Sequence, residues 1–157
     1  KVEEGTDNGE DLQVTAILAY YSKEIVSIPE PLWHYDCSNI GSYTNVFSLK
    51  KQQQMWRSFD IVKDFFANKE EDFWDAVTEA ELLTVINHLL VYGKHNGLDY
   101  FYDQAIARLR NIDASYWTRF PVSFRIVLWL NKNKTFLKCY VRLATFIHRI
   151  ILKKKSI

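Results

Sequence analysis

The sequence predicts an α+β protein, with short strands and helices first and a helical extension after them. Three observations carry that expectation. Leu12 and Val14 alternate with Asp11, Gln13 and Thr15, the period of a half-buried strand. Val46-Phe47-Ser48-Leu49 reads as a second short strand. From Val77 to Phe120 the apolar spacing is helical, in three short amphipathic segments. Strands gathered at one end of a chain and helices at the other is the order of an α+β architecture.

Along the chain, Asn8-Gly9 has the chemistry of a two-residue turn between strands. Residues Ile17 to Ile25 shift to helical spacing, with Leu18, Ala19, Tyr21 and Ile25 as the apolar face, and Pro29 and Pro31 end that element. Trp33 to Asn45 reads as a loop. Met55, Trp56, Phe59, Ile61, Val62, Phe65 and Phe66 mark an amphipathic helix broken at Asn68. Lys69-Glu70-Glu71-Asp72 reads as a charged linker. Thr78 is then a candidate N-cap, with Glu79 and Glu81 in the first turn where they suit the helix dipole.

Leu82, Val85, Ile86, Leu89 and Leu90 follow on that helix, and Gly93 with Lys94-His95-Asn96-Gly97 stops it. The next helix spans Leu98 to about Arg110, with Leu98, Phe101, Tyr102, Ala105, Ile106 and Leu109 along one stripe. Asp113 caps a third short helix bearing Tyr116, Trp117 and Phe120, stopped by Pro121. These readings divide the chain into residues 1–69, 70–122 and 123–157.

A chain of 157 residues, 48% apolar and 15% aromatic, has the means to bury a core and lies outside the disordered class. Its net charge of +1 conceals a division. Residues 1–118 hold ten Lys/Arg against all 19 Asp/Glu, and residues 119–157 hold the other ten Lys/Arg with no acid. The two cysteines, Cys37 and Cys139, stand far apart, which favours a reducing compartment, cytosol or nucleus. No secretory signal is visible, and no apolar run reaches the roughly 18–20 residues that span a bilayer.

Motifs for chemistry are weak. His34 and Cys37 have metal-ligand spacing but no second pair to complete a site, and His88 and His95 stand apart from them. There is no Gly-rich phosphate loop, no Gly-x-Ser-x-Gly and no His-Glu-x-x-His. The expectation is a protein without catalytic residues, cofactor or metal.

Six collinear matches over about residues 6–122 resemble one family. Asn8-Gly9-Glu10-Asp11-Leu12-Gln13-Val14 with Ala19, Ser22 and Ile25 is similar to the opening strand, turn and helix of the Skp1 family. Val46–Phe66 resembles its next strand and helix, and Trp74-Asp75 with Val77 and Leu82 its Trp-Asp…Val segment. Tyr92 falls near its Asn-Tyr-Leu, Gly97-Leu98 matches its Gly-Leu-Leu-Asp, and Ile106-Ala107 with Asp113–Phe120 resembles its closing helices. The family's Gly-Lys-Thr is replaced by Arg110-Asn111-Ile112, and its acidic C-terminal run by a basic one.

The resemblance implies a BTB/POZ-like first part and a non-catalytic adaptor that joins a cullin to an F-box protein in a ubiquitin ligase. It implies F-box contacts at Leu98, Phe101, Ile106, Leu109, Trp117 and Phe120, and cullin contacts at Phe59, Val62 and Tyr92. Cytoplasm and nucleus are the corresponding locations. Two other readings stand beside it: a relative that has lost F-box binding, and a basic-tailed protein whose likeness to the family is accidental. In the tail, Leu137, Val141, Ala144, His148 and Ile151 share a helical face widened by Phe136, Tyr140, Leu143 and Ile147. With Lys138, Arg142, Arg149 and Lys153-Lys154-Lys155, that face suits an anionic membrane, nucleic-acid phosphates, or the acidic body of the chain itself.

Overall fold

The computed structural model describes residues 8–30 and 48–155. The described residues are mostly helical, with no strand among them, and short turns join the helices from α2 onward. In order they are α1 (Glu10–Tyr21), α2 (Leu49–Phe66), α3 (Glu71–Lys94), α4 (Asp99–Leu109), a 3₁₀ helix (Ala114–Arg119), α5 (Val122–Leu130) and α6 (Lys134–Lys155). The expected α+β class is therefore corrected to an all-helical one, and the BTB/POZ-like reading of the first part goes with it. The chain divides into two compact units, up to Val77 and from Thr78, with α3 contributing to both.

In the first unit, α1 replaces the strand expected at Leu12–Val14, and it ends at Tyr21, short of the Ile25 expected. Gly9 sits at its N-cap with φ of 98°, the left-handed conformation glycine adopts freely. A Cβ there would also lie 2.8 Å from Ser58 Oγ. The Asn8-Gly9 pair thus starts a helix and docks it on α2, where it had been expected to turn between strands. Asn8 Nδ2 donates to the Lys51 carbonyl at 2.9 Å, and Gln13 Nε2 donates to Ser58 Oγ at 2.9 Å in a buried contact. Tyr20 closes the unit edge-on against Phe65, Phe66 and Phe73, while Phe66 and Phe73 stack at 5.3 Å.

In α2, Trp56, Phe59, Val62 and Phe66 recur at helical spacing and are all buried. Leu49, expected to close a strand, opens this helix; Val46 and Phe47, like the loop at Trp33–Asn45, lie outside the described residues. The linker expected at Lys69–Asp72 is corrected too. Glu71 and Asp72 form the first turn of α3, where their charge suits the dipole. Thr78, expected as an N-cap, lies within α3 and is buried.

The second unit begins with the run of α3 that carries Leu82, Val85, Ile86 and Leu89, all fully buried. Gly97, with φ of 77°, turns the chain into α4, whose Phe101, Tyr102, Ala105 and Leu109 are buried. Glu81 of α3, almost completely buried, meets Arg108 of α4 at 3.3 Å. As expected, Asp113 caps the next turn: its Oδ1 accepts from Ser115 N at 2.7 Å, and this bond holds its carboxyl below the ordinary range. That turn is 3₁₀, and Pro121 both ends it and opens α5 by accepting from the Phe124 and Arg125 amides. Asn133 Oδ1 caps α6 by accepting from Thr135 N and Phe136 N at 3.0 and 3.2 Å.

α6 docks on α3 at a glycine. A Cβ on Gly93 would stand 2.6 Å from Val141 Cβ and 2.7 Å from its Cγ2. Around this contact Lys138 Nζ lies 4.4 Å above the Tyr92 ring and Lys134 Nζ 4.6 Å above Tyr102, and the two rings meet at 4.8 Å. Tyr92 donates to Asp99 Oδ1 at 3.1 Å, and Lys134 reaches Asp99 and Asp103 at 3.5 and 3.3 Å. Gly93→Ala gains about 1 kcal/mol of helix propensity but forces a clash that truncating Val141 to Ala leaves in place, since Cβ is the atom struck. Overpacking of this kind costs about 1–3 kcal/mol. The expected outcome in urea titration is a net loss of up to about 2 kcal/mol. Arg108→Ala, which removes a cation 3.3 Å from the buried Glu81 carboxylate, is expected to cost about 1–3 kcal/mol in the same assay.

Candidate functional site

α4, the 3₁₀ helix and the α5–α6 turn enclose an open cleft of about 520 Å³ in the second unit. Tyr102, Ile106 and Leu109 line it from α4, with Arg110 and Ile112 beyond the helix end. Trp117 closes it from the 3₁₀ helix, and Asn131 and Lys132 from the α5–α6 turn. Leu109, Ile112 and Tyr102 are buried, Ile106 and Trp117 half-buried, and Arg110 and Lys132 exposed. The lining has an apolar floor, two cations and no carboxylate, thiol or imidazole.

Hydrogen bonds fix the wall. Tyr102 donates its hydroxyl to the Asn131 carbonyl, and Asn131 Nδ2 donates to the Leu128 carbonyl. Burial pushes the Tyr102 phenol up, which keeps it the neutral donor this contact needs. The Trp117 indole Nε1 is buried with no acceptor.

Of the six expected F-box contacts, Ile106, Leu109 and Trp117 converge on this cleft. Phe101 is buried in the α4 face. Leu98 is half-buried at the α4 N-cap, where its carbonyl accepts from the Phe101 and Tyr102 amides. Phe120 is half-buried, its ring 6.4 Å from that of Phe124. The three expected cullin contacts, Phe59, Val62 and Tyr92, are 2%, 0% and 1% exposed and offer a partner almost no surface. Sequence reasoning placed Tyr102 in the α4 stripe but did not link it to Asn131 or Lys132. The Arg110-Asn111-Ile112 departure from the family pattern marked one wall without showing that it was a wall.

No group of three or more His, Cys, Asp or Glu among the described residues has the arrangement of a metal site. His34 and Cys37 lie outside the described residues. His88 Nδ1 stands 2.7 Å from the Thr84 carbonyl; since a carbonyl only accepts, Nδ1 carries the proton. Burial lowers the His88 pKa, with the Thr84 contact opposing it. The unfolded chain therefore takes up the proton more readily than the folded one. This contribution to stability is present above the ordinary histidine range and is lost as pH falls through the folded value. The urea midpoint is expected to drop between pH 7.5 and 5.5, and His88→Gln to flatten that drop. No protein-family model, no curated protein and no solved structure matches the chain, so its function is read from its own residues.

Proposed function

We propose that the chain is a non-catalytic adaptor that seats an apolar side chain of a partner protein in the Tyr102–Trp117–Asn131 cleft. The observation that carries this reading is the convergence of Ile106, Leu109 and Trp117 on an open apolar floor rimmed by Arg110 and Lys132. Small protein interfaces draw most of their affinity from such a pocket with an aromatic or aliphatic anchor in it. The two cations favour a segment carrying acid beside its anchor. The lining holds no carboxylate, thiol or imidazole, and its apolar floor suits it to holding a partner side chain.

In its most specific form this is the adaptor of a cullin–F-box ubiquitin ligase, acting in the cytosol or nucleus, with the F-box protein in the cleft. The family resemblance supports that form. The helical first unit and the burial of Phe59, Val62 and Tyr92 weigh against its cullin half.

Calorimetric titration of the whole chain with an F-box segment, and separately with a cullin N-terminal fragment, tests both halves. Expected is F-box binding that Ile106→Ala and Trp117→Ala each weaken roughly tenfold, while Tyr100→Ala, on an exposed side chain, leaves it unchanged. Absence of F-box binding by a folded chain would remove the ligase role. Binding indifferent to both cleft variants would move the site elsewhere.

A further inference from the structure

Of the helical face expected for the tail, the described residues differ in burial, and Phe146 and Ile150 lie beside it. Leu137 and Val141 are buried, whereas Leu143, Phe146, Ile147 and Ile150 are each between 43% and 62% exposed. Their spacing of three, one and three residues makes a continuous stripe along the second half of α6. Beside it lies a recess of about 310 Å³ lined by Lys94, His95, Arg142, Thr145 and Phe146. Phe146 belongs to both, so a patch rich in positive charge and an apolar stripe form one surface.

The recess lining offers cations and no carboxylate. The α6 sequence carries seven Lys/Arg and no Asp or Glu. Among the described residues, the carboxylates that ion-pair with α6, Asp99 and Asp103, do so at its first residue, Lys134. Arg142 is held in place by donating to Asn96 Oδ1 at 2.8 Å. A phosphate fits the recess, but phosphates alone leave the stripe in water. A ligand that satisfies both carries a negative headgroup joined to hydrocarbon.

We propose that α6 docks on the surface of an anionic phospholipid bilayer, with lipid phosphate in the Lys94–Arg142 recess and Leu143, Phe146, Ile147 and Ile150 in the acyl boundary. The helix lies in the interface and does not cross it: among the described residues no helix is long and apolar enough to span a membrane. Apolar insertion and attraction to acidic headgroups act together, so removing either weakens binding.

Co-sedimentation of the whole chain with vesicles of phosphatidylcholine, with and without phosphatidylserine, tests this. Expected is binding to the phosphatidylserine vesicles roughly tenfold stronger than to neutral ones, weakening as salt rises. The double variant Phe146→Ser, Ile147→Ser, on exposed side chains, is expected to lose at least roughly tenfold in binding with its helix content intact. Lys94→Ala with Arg142→Ala is expected to lose the preference for phosphatidylserine. No binding to acidic vesicles overturns the proposal, as does binding that the stripe variant leaves unchanged. So does a dimer, seen by light scattering, that the stripe variant makes monomeric while vesicles compete for nothing; that result puts a second copy on the stripe. Displacement from vesicles by an oligonucleotide, with the stripe variant binding that oligonucleotide as well as wild type, assigns the charge to nucleic acid and overturns it equally.

Discussion

A side chain at position 93 has nowhere to go. Gly93 lets α3 and α6 approach until Val141 fills the space a Cβ would need, and that contact decides which part of α6 is held. The neighbouring turns exploit the approach. Lys134 and Lys138 reach back over Tyr102 and Tyr92, and Asp99 ties the start of α4 into the same cluster. The Tyr92 hydrogen bond, followed by the nearby lysines, holds the Asp99 carboxyl below its ordinary range, so it stays ionised and available to Lys134.

Both candidate surfaces follow from this docking. α6 held at Leu137 and Val141 fixes the turn before it, and that turn supplies Asn131 and Lys132 to the cleft. The Tyr102 hydroxyl, donating to the Asn131 carbonyl, makes the cleft wall an extension of the same packing. Beyond Val141 the described apolar residues Leu143, Ala144, Phe146, Ile147 and Ile150 are exposed, and the stripe from Leu143 to Ile150 results. One contact thus separates a half of α6 that builds the unit from a half that faces outward.

Legibility in the sequence followed the strength of periodic burial. In α4 and the 3₁₀ turn the apolar stripe, Gly97 and the Asp113 cap agree, and the elements lie within a residue of where the spacing puts them. In α1 no such agreement exists. Its one buried residue is the polar Gln13, bonded to Ser58, while Val14 and Leu18 are exposed opposite the half-buried Leu12, Ala16, Ile17 and Tyr20, so apolar residues fall on both sides of the helix and two alternating residues mimic a strand. The acids at 71–72 look like a solvated linker until they are seen to open a helix, where a dipole accounts for them. The tail shows a further limit. Periodicity marks all of α6 as amphipathic, but which apolar residues are covered depends on Gly93, more than forty residues earlier in the chain. The cleft was legible only as separate anchors, because its walls are assembled from three elements.

Among the described residues α6 is buried at Leu137 and Val141 and at none after them. Amide hydrogen exchange of the whole chain measures this directly. The amides from Lys138 to Arg142 should exchange only with large-scale opening, and those from Ile147 to Ile151 orders of magnitude faster, through local fraying of an uncovered helix. Equal, strong protection across both segments would contradict the account, since it would mean that the stripe is already packed.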